Sequence, residues 1–73
     1  MRFVITNSQT DKTSSHRSLV AAKKAAESIF QCSLAESHRE ILQSLRSIDT
    51  VIVTPILGFM NTEKHYVRID KTN

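Results

Sequence analysis

The sequence predicts an α+β fold: a two-layer β-α-α-β-β arrangement, a three-stranded sheet with two helices on one face. Three features predict it. Short stretches near both ends alternate apolar with polar residues, as strands do. Two consecutive stretches in the middle repeat apolar residues at spacings of three and four, as amphipathic helices do. Thr50 to Met60, read Thr-Val-Ile-Val-Thr-Pro-Ile-Leu-Gly-Phe-Met, is the most apolar and β-prone run of the chain.

The first strand is placed at residues 2–7, where Phe3 and Ile5 share a core-facing side and Arg2, Val4 and Thr6 the other. Residues 8–17 hold nothing to bury and are expected to form a mobile surface loop. Ser18 is an N-cap candidate for a helix over 18–31, with Leu19, Ala22, Ala25, Ala26, Ile29 and Phe30 on one stripe. Ser33 and Glu36 have the spacing of a capping box, which starts a second helix over 33–47. Its stripe is Leu34, His38, Ile41, Leu42, Leu45 and Ile48.

The next strand is expected over 50–60, with an irregularity at Pro55 and Gly58. Proline cannot donate to a ladder and argues for an edge or a bulge. Val51, Val53, Leu57 and Phe59 fall on one face and Ile52, Ile56 and Met60 on the other, the pattern of a strand covered on both sides. A turn at Asn61 to Glu63 leads to a last strand over 64–70, with His65, Val67 and Ile69 facing inward. A right-handed crossover puts both helices on one side, so the second face needs a cover from elsewhere.

With 73 residues the chain makes one domain, 1–73, whose core is small and has little room for a deep catalytic pocket. A single cysteine, Cys32, allows no internal disulfide and fits a reducing, cytoplasmic setting. The start of the chain lacks the apolar core of a signal peptide, and no run reaches the ~20 apolar residues of a membrane span, so no membrane partner is expected. The formal net charge is +3, spread without a basic block; residues 33–49, with two arginines against three carboxylates, balance at −1.

Nothing in the chain assembles a reaction centre. His16, His38, His65 and Cys32 lack the short spacings of a zinc site, so no metal or other cofactor is expected. Cys32 with His38 is the nearest approach to a nucleophile and base, but a packed thiol and a hydrogen-bonded histidine account for both more simply. Glu36 and Glu40 read as a solvated charged face. No catalytic residue is assigned, and the chain is not expected to be an enzyme.

Two binding surfaces remain. The expected partner-binding set is Val4, Ile52, Ile56, Met60 and Tyr66 on the uncovered sheet face, with Phe59 at the hairpin tip. The alternative is a small basic nucleic-acid-binding protein using Arg2, Lys23, Lys24, Lys64 and Arg68, with Tyr66 as its one stacking aromatic.

A short chain in which a strand precedes the Ala-rich, Lys-bearing helix Ser18-Leu-Val-Ala-Ala-Lys-Lys-Ala-Ala-Glu27, closed by a hairpin, resembles in outline small phage-encoded inhibitor proteins of the anti-CRISPR kind. The resemblance is architectural and carries no functional residue across. It implies a stoichiometric inhibitor or accessory factor acting on a host protein or nucleoprotein complex. The apolar second face also predicts a homodimer for the isolated chain, two copies burying it together.

Overall fold

The computed structural model describes residues 1–57 and 64–72. Six elements follow in order: β1 (Arg2–Asn7), β2 (Thr13–His16), α1 (Leu19–Phe30), α2 (His38–Ile48), β3 (Thr50–Val53) and β4 (Val67–Thr72). The class is α+β, but the sheet has four strands, not three. They are ordered β2-β1-β4-β3 and every neighbouring pair is antiparallel.

The fourth strand is β2, inside the stretch expected to be a mobile loop. Thr13 to His16 contribute no apolar side chain; they are held by the backbone ladder that pairs Phe3 with His16 and Thr6 with Thr13. The connection is closed locally. Asp11 N donates to Asn7 O (2.8 Å), Asn7 N to Lys12 O (2.9 Å) and Gln9 N to Asn7 Oδ1 (3.0 Å), while Asp11 takes the left-handed conformation that a short polar side chain tolerates.

α1 begins where its cap predicts, with Ser18 Oγ accepting from Ala21 N at 3.2 Å. α2 begins at His38 rather than at 33. Its cap is Ser37, whose Oγ accepts from Glu40 N and donates to Glu40 Oε1, both at 3.2 Å. The Ser33–Glu36 pair expected to cap it does something else. Residues 33–36 form a strap along the chain after β3: Leu34 bridges Pro55, Ala35 N donates to Thr54 O and Ile56 N to Ser33 O, both at 2.8 Å. Leu34 is thereby buried from the strap instead of from a helix.

The expected strand over 50–60 is regular only as far as Val53, and it lies at the sheet's edge, so it is not covered on both faces. Val53 is fully buried while Ile52, its neighbour, is 46% exposed. Pro55 sits in the strap bridge, where its missing N–H costs nothing. Gly58 and the expected turn at 61–63 lie outside the described residues. The last strand is shifted to Val67–Thr72 from the expected 64–70.

One core joins the layers. Phe3, Ile5, Val53, Val67 and Ile69 from the sheet pack with Leu19, Ala22 and Ala26 of α1, Ile41 and Leu45 of α2, and Leu34. Alanines at the centre of the α1 stripe let that helix lie close to the strands. Two members of the expected α2 stripe are outside this core: His38 and Ile48 are exposed, Ile48 at 68%. Both helices share this core, so the opposite face of the sheet carries no covering element among the described residues.

Candidate interaction surface on the open sheet face

Register and alternation fix what this open face presents. One row across the sheet runs Ser15, Val4, Asp70, Thr50; the next runs Thr13, Thr6, Arg68, Ile52. Beyond that row Tyr66 is tied to Ser8 by two bonds, Ser8 N to Tyr66 O (3.0 Å) and Tyr66 N to Ser8 Oγ (2.9 Å). Arg68 Nε donates to Asp70 Oδ2 at 2.9 Å, and Arg2 Nε to Ser15 Oγ at 2.6 Å.

The face is richer in hydroxyls than expected, because Thr6, Thr13, Ser15, Thr50 and Thr72 fill half of its strand positions. Its apolar part is confined to one corner. Ile52 is exposed in the Arg68 row and Tyr66 in the row beyond, and alternation continued through the Pro55 bridge brings Ile56 to the same side, 57% exposed. Val4 sits half-buried nearer the middle of the sheet between Ser15 and Asp70. Phe59 and Met60 lie outside the described residues.

The alternative basic set is not brought together. Arg2 and Arg68 are on the open face, each engaged by a neighbour, and Lys64 is exposed before β4 with a left-handed backbone. Lys23 and Lys24 belong to α1 in the helical layer, behind the sheet.

On the helical side, Ile29, Phe30, Gln31, Cys32, Pro55, Leu57 and His65 line a cleft of about 360 Å³. His65 stands edge-on to Phe30, ring centroids 4.9 Å apart, with its Nε2 2.6 Å from Asn7 Oδ1. That contact joins the end of β1 to the approach to β4 and the last turn of α1. His38, considered with Cys32 as a base, is instead on the outside of α2, its Nδ1 3.4 Å from Lys23 Nζ. Cys32 is half-buried, just past the C-terminus of α1. Among the described residues no three His, Cys, Asp or Glu side chains gather into a metal-holding group, and no helix is long and apolar enough to cross a membrane.

The residues that sequence reasoning missed are on α2. Arg39, Gln43 and Arg46, at spacings of four and three, face away from Ile41 and Leu45 and are all exposed. The periodicity contained this signal, but summing charge over 33–49 cancelled the arginines against Glu36 and Asp49, which point elsewhere.

The chain matches no family model, no curated protein and no solved structure.

Proposed function

We propose that this chain is a small non-enzymatic interaction protein, a stoichiometric inhibitor or accessory factor. On this reading it engages a host protein, alone or within a nucleoprotein complex, through the corner of the open face formed by Ile52, Ile56, Tyr66 and Arg68. The observation that carries the reading is that two exposed large apolar side chains, Ile52 and Tyr66, flank Arg68 at the edge of an uncovered sheet, with a third, Ile56, exposed beyond the Pro55 bridge. Exposed apolar side chains collected in one place mark interaction sites far more often than the same number scattered, and tyrosine and arginine are the residues on which binding energy concentrates. The proposed mode of action, stoichiometric binding, is also the one implied by the resemblance to small phage-encoded inhibitors, and the unpaired Cys32 accords with a cytoplasmic setting.

Affinity capture from host lysates with the wild type, Ile52→Glu and Tyr66→Ala tests it. Both side chains are exposed, so both variants keep the fold, and a partner retained by the wild type is lost from each. A partner captured equally by all three would remove this corner from the account. Sedimentation of the free protein over a dilution series shows whether a second copy occupies the same corner when no partner is present.

A further inference from the structure

We infer that the outer face of α2 is a docking surface for the phosphate backbone of a nucleic-acid duplex. His38, Arg39, Leu42, Gln43 and Arg46 line a shallow groove of about 540 Å³, and the His38–Lys23 contact brings a third cation to its rim from α1. Among the described residues the ion pairs are Arg68–Asp70 and Lys71–Asp49, so neither Arg39 nor Arg46 is neutralised. The nearby carboxylates are otherwise engaged or set back: Glu40 is bound by its cap serine, Glu36 holds Thr54, and Glu27 lies one turn beyond Lys23 on α1.

The chemistry of the groove selects the occupant. A protein partner needs an apolar anchor at the centre of its contact, and the groove offers only the half-buried Leu42. A single strand needs aromatic platforms for its bases, and α2 has no aromatic residue but His38. What remains is charge in a fork geometry suited to phosphate oxygens, with the Gln43 amide between the two arginines as a further donor. Seven residues separate Arg39 from Arg46, about 10 Å along the helix, which is close to the axial rise of three nucleotides in one strand of a duplex. This surface lies on the opposite layer from Ile52 and Tyr66, and the inference stands or falls independently of the sheet-face reading. Together the two faces would let one small chain touch protein and nucleic acid at once.

Fluorescence anisotropy with short DNA and RNA duplexes, and with their separated strands, tests it. With three cations engaged, duplex affinity is expected to fall roughly 40-fold between ~50 and ~200 mM salt. In the Arg39→Gln/Arg46→Gln variant, binding at the lower salt falls by about 10-fold or more and the salt slope drops by about two contacts. The Arg39→Lys/Arg46→Lys variant keeps the charge and recovers most of the binding. Unchanged melting by circular dichroism shows that the variants are folded, as substitution of two exposed side chains predicts. Such behaviour with either duplex supports the inference. It is overturned if the wild type binds no duplex at the lower salt, if the glutamine variant binds as tightly as the wild type, if single strands bind as well as duplexes, or if polyglutamate displaces the duplex at equal charge.

Discussion

Glu36 receives two hydrogen bonds from one residue: Thr54 N donates to its Oε1 at 2.8 Å and Thr54 Oγ1 to its Oε2 at 2.9 Å. This carboxylate fastens the strap to the chain after β3, in a half-buried setting where bonds to a charged acceptor are strongest. Glu36→Ala is expected to lower stability by about 1.5–3 kcal/mol, the usual range for bonds to a charged group, and Glu36→Gln by less because one acceptor oxygen remains. Urea denaturation measures both. A loss within ~0.5 kcal/mol for the alanine variant, the ordinary range of a surface change, would show that Leu34 and the backbone bonds of Ser33 and Ala35 hold the strap without the carboxylate.

Ile52 and Val53 are neighbours with opposite fates, one exposed on the open face and one fully buried. Ile52→Asp should shift stability by no more than about 0.5 kcal/mol, as surface changes do. Val53→Asp puts an unpaired charge among Ile69, Leu45 and the rest of the core and should leave the chain unfolded at room temperature, since a domain of this size has only about 5–15 kcal/mol to lose. Circular dichroism distinguishes the two. Equal tolerance would mean that Val53 does not belong to the core, and the reverse ranking that the face assignment of β3 is inverted.

The start of α2 is testable through three serines. Ser18→Ala and Ser37→Ala each remove a cap and should cost about 1 kcal/mol, whereas Ser33→Ala should cost almost nothing, because only the Ser33 carbonyl is used, as acceptor for Ile56 N. Thermal melts of the three variants read this directly. A cost at Ser33 equal to that at Ser37 would restore the longer helix.

The two serines also show how far the sequence could be read. Ser33-x-x-Glu36 and Ser37-x-x-Glu40 are the same motif four residues apart, and local chemistry ranks them equally; what separates them is the tertiary pairing of Leu34 with Pro55. The amphipathic α1 and the inward side chains of β1 and β4 followed from apolar spacing, because burial decides them, and the common face of the two helices followed from the handedness of the crossover. β2 did not, since Thr-Ser-Ser-His is a strand only by virtue of the edge that β1 offers. The extent of β3 was misjudged for a related reason. An apolar run reads as buried from sequence, but Ile52 and Ile56 are apolar and exposed, which is also why their corner is a candidate site. The α2 ridge was legible as a periodicity and was lost by summing charge along the chain rather than around the helix.

Gln31 ends α1 in the left-handed conformation, φ 59°, ψ 30°, with its N–H donating to Glu27 O. A side chain beyond Cβ gains nothing there, while glycine at this position is free of the clash between Cβ and the carbonyl. Gln31→Gly is expected to raise stability by roughly 0.5–1 kcal/mol, the left-handed cost less the extra entropy of the unfolded glycine. Asp49 ends α2 in the same conformation, but aspartate tolerates it and also pairs with Lys71 at 3.3 Å, so Asp49→Gly should bring no gain. Paired denaturation curves test the contrast; a gain at 49 but not at 31 would contradict it.

The strap also governs how much strand edge the molecule leaves open. Lys71 N donates to Asp49 O at 2.9 Å, so the hydrogen-bonded pairs of this ladder fall at Val51–Ile69 and Val53–Val67, and the backbone groups of Thr50 and Ile52 turn outward. The next outward groups, at Thr54 and Ile56, are taken by Glu36, Ala35 and Ser33. Only a two-residue edge therefore remains on β3 beside the strap, too short to recruit another strand efficiently. Releasing the strap with Glu36→Ala and Thr54→Val lengthens that edge to four or more residues next to exposed Ile52 and Ile56, the combination that drives edge-to-edge association. Sedimentation velocity over a dilution series should show larger species in this double variant at concentrations where the wild type has none beyond its own smallest form. Adding Ile52→Lys, a charge on the edge strand, should remove them. Identical sedimentation of wild type and double variant would mean that the strap supports the core without guarding the edge.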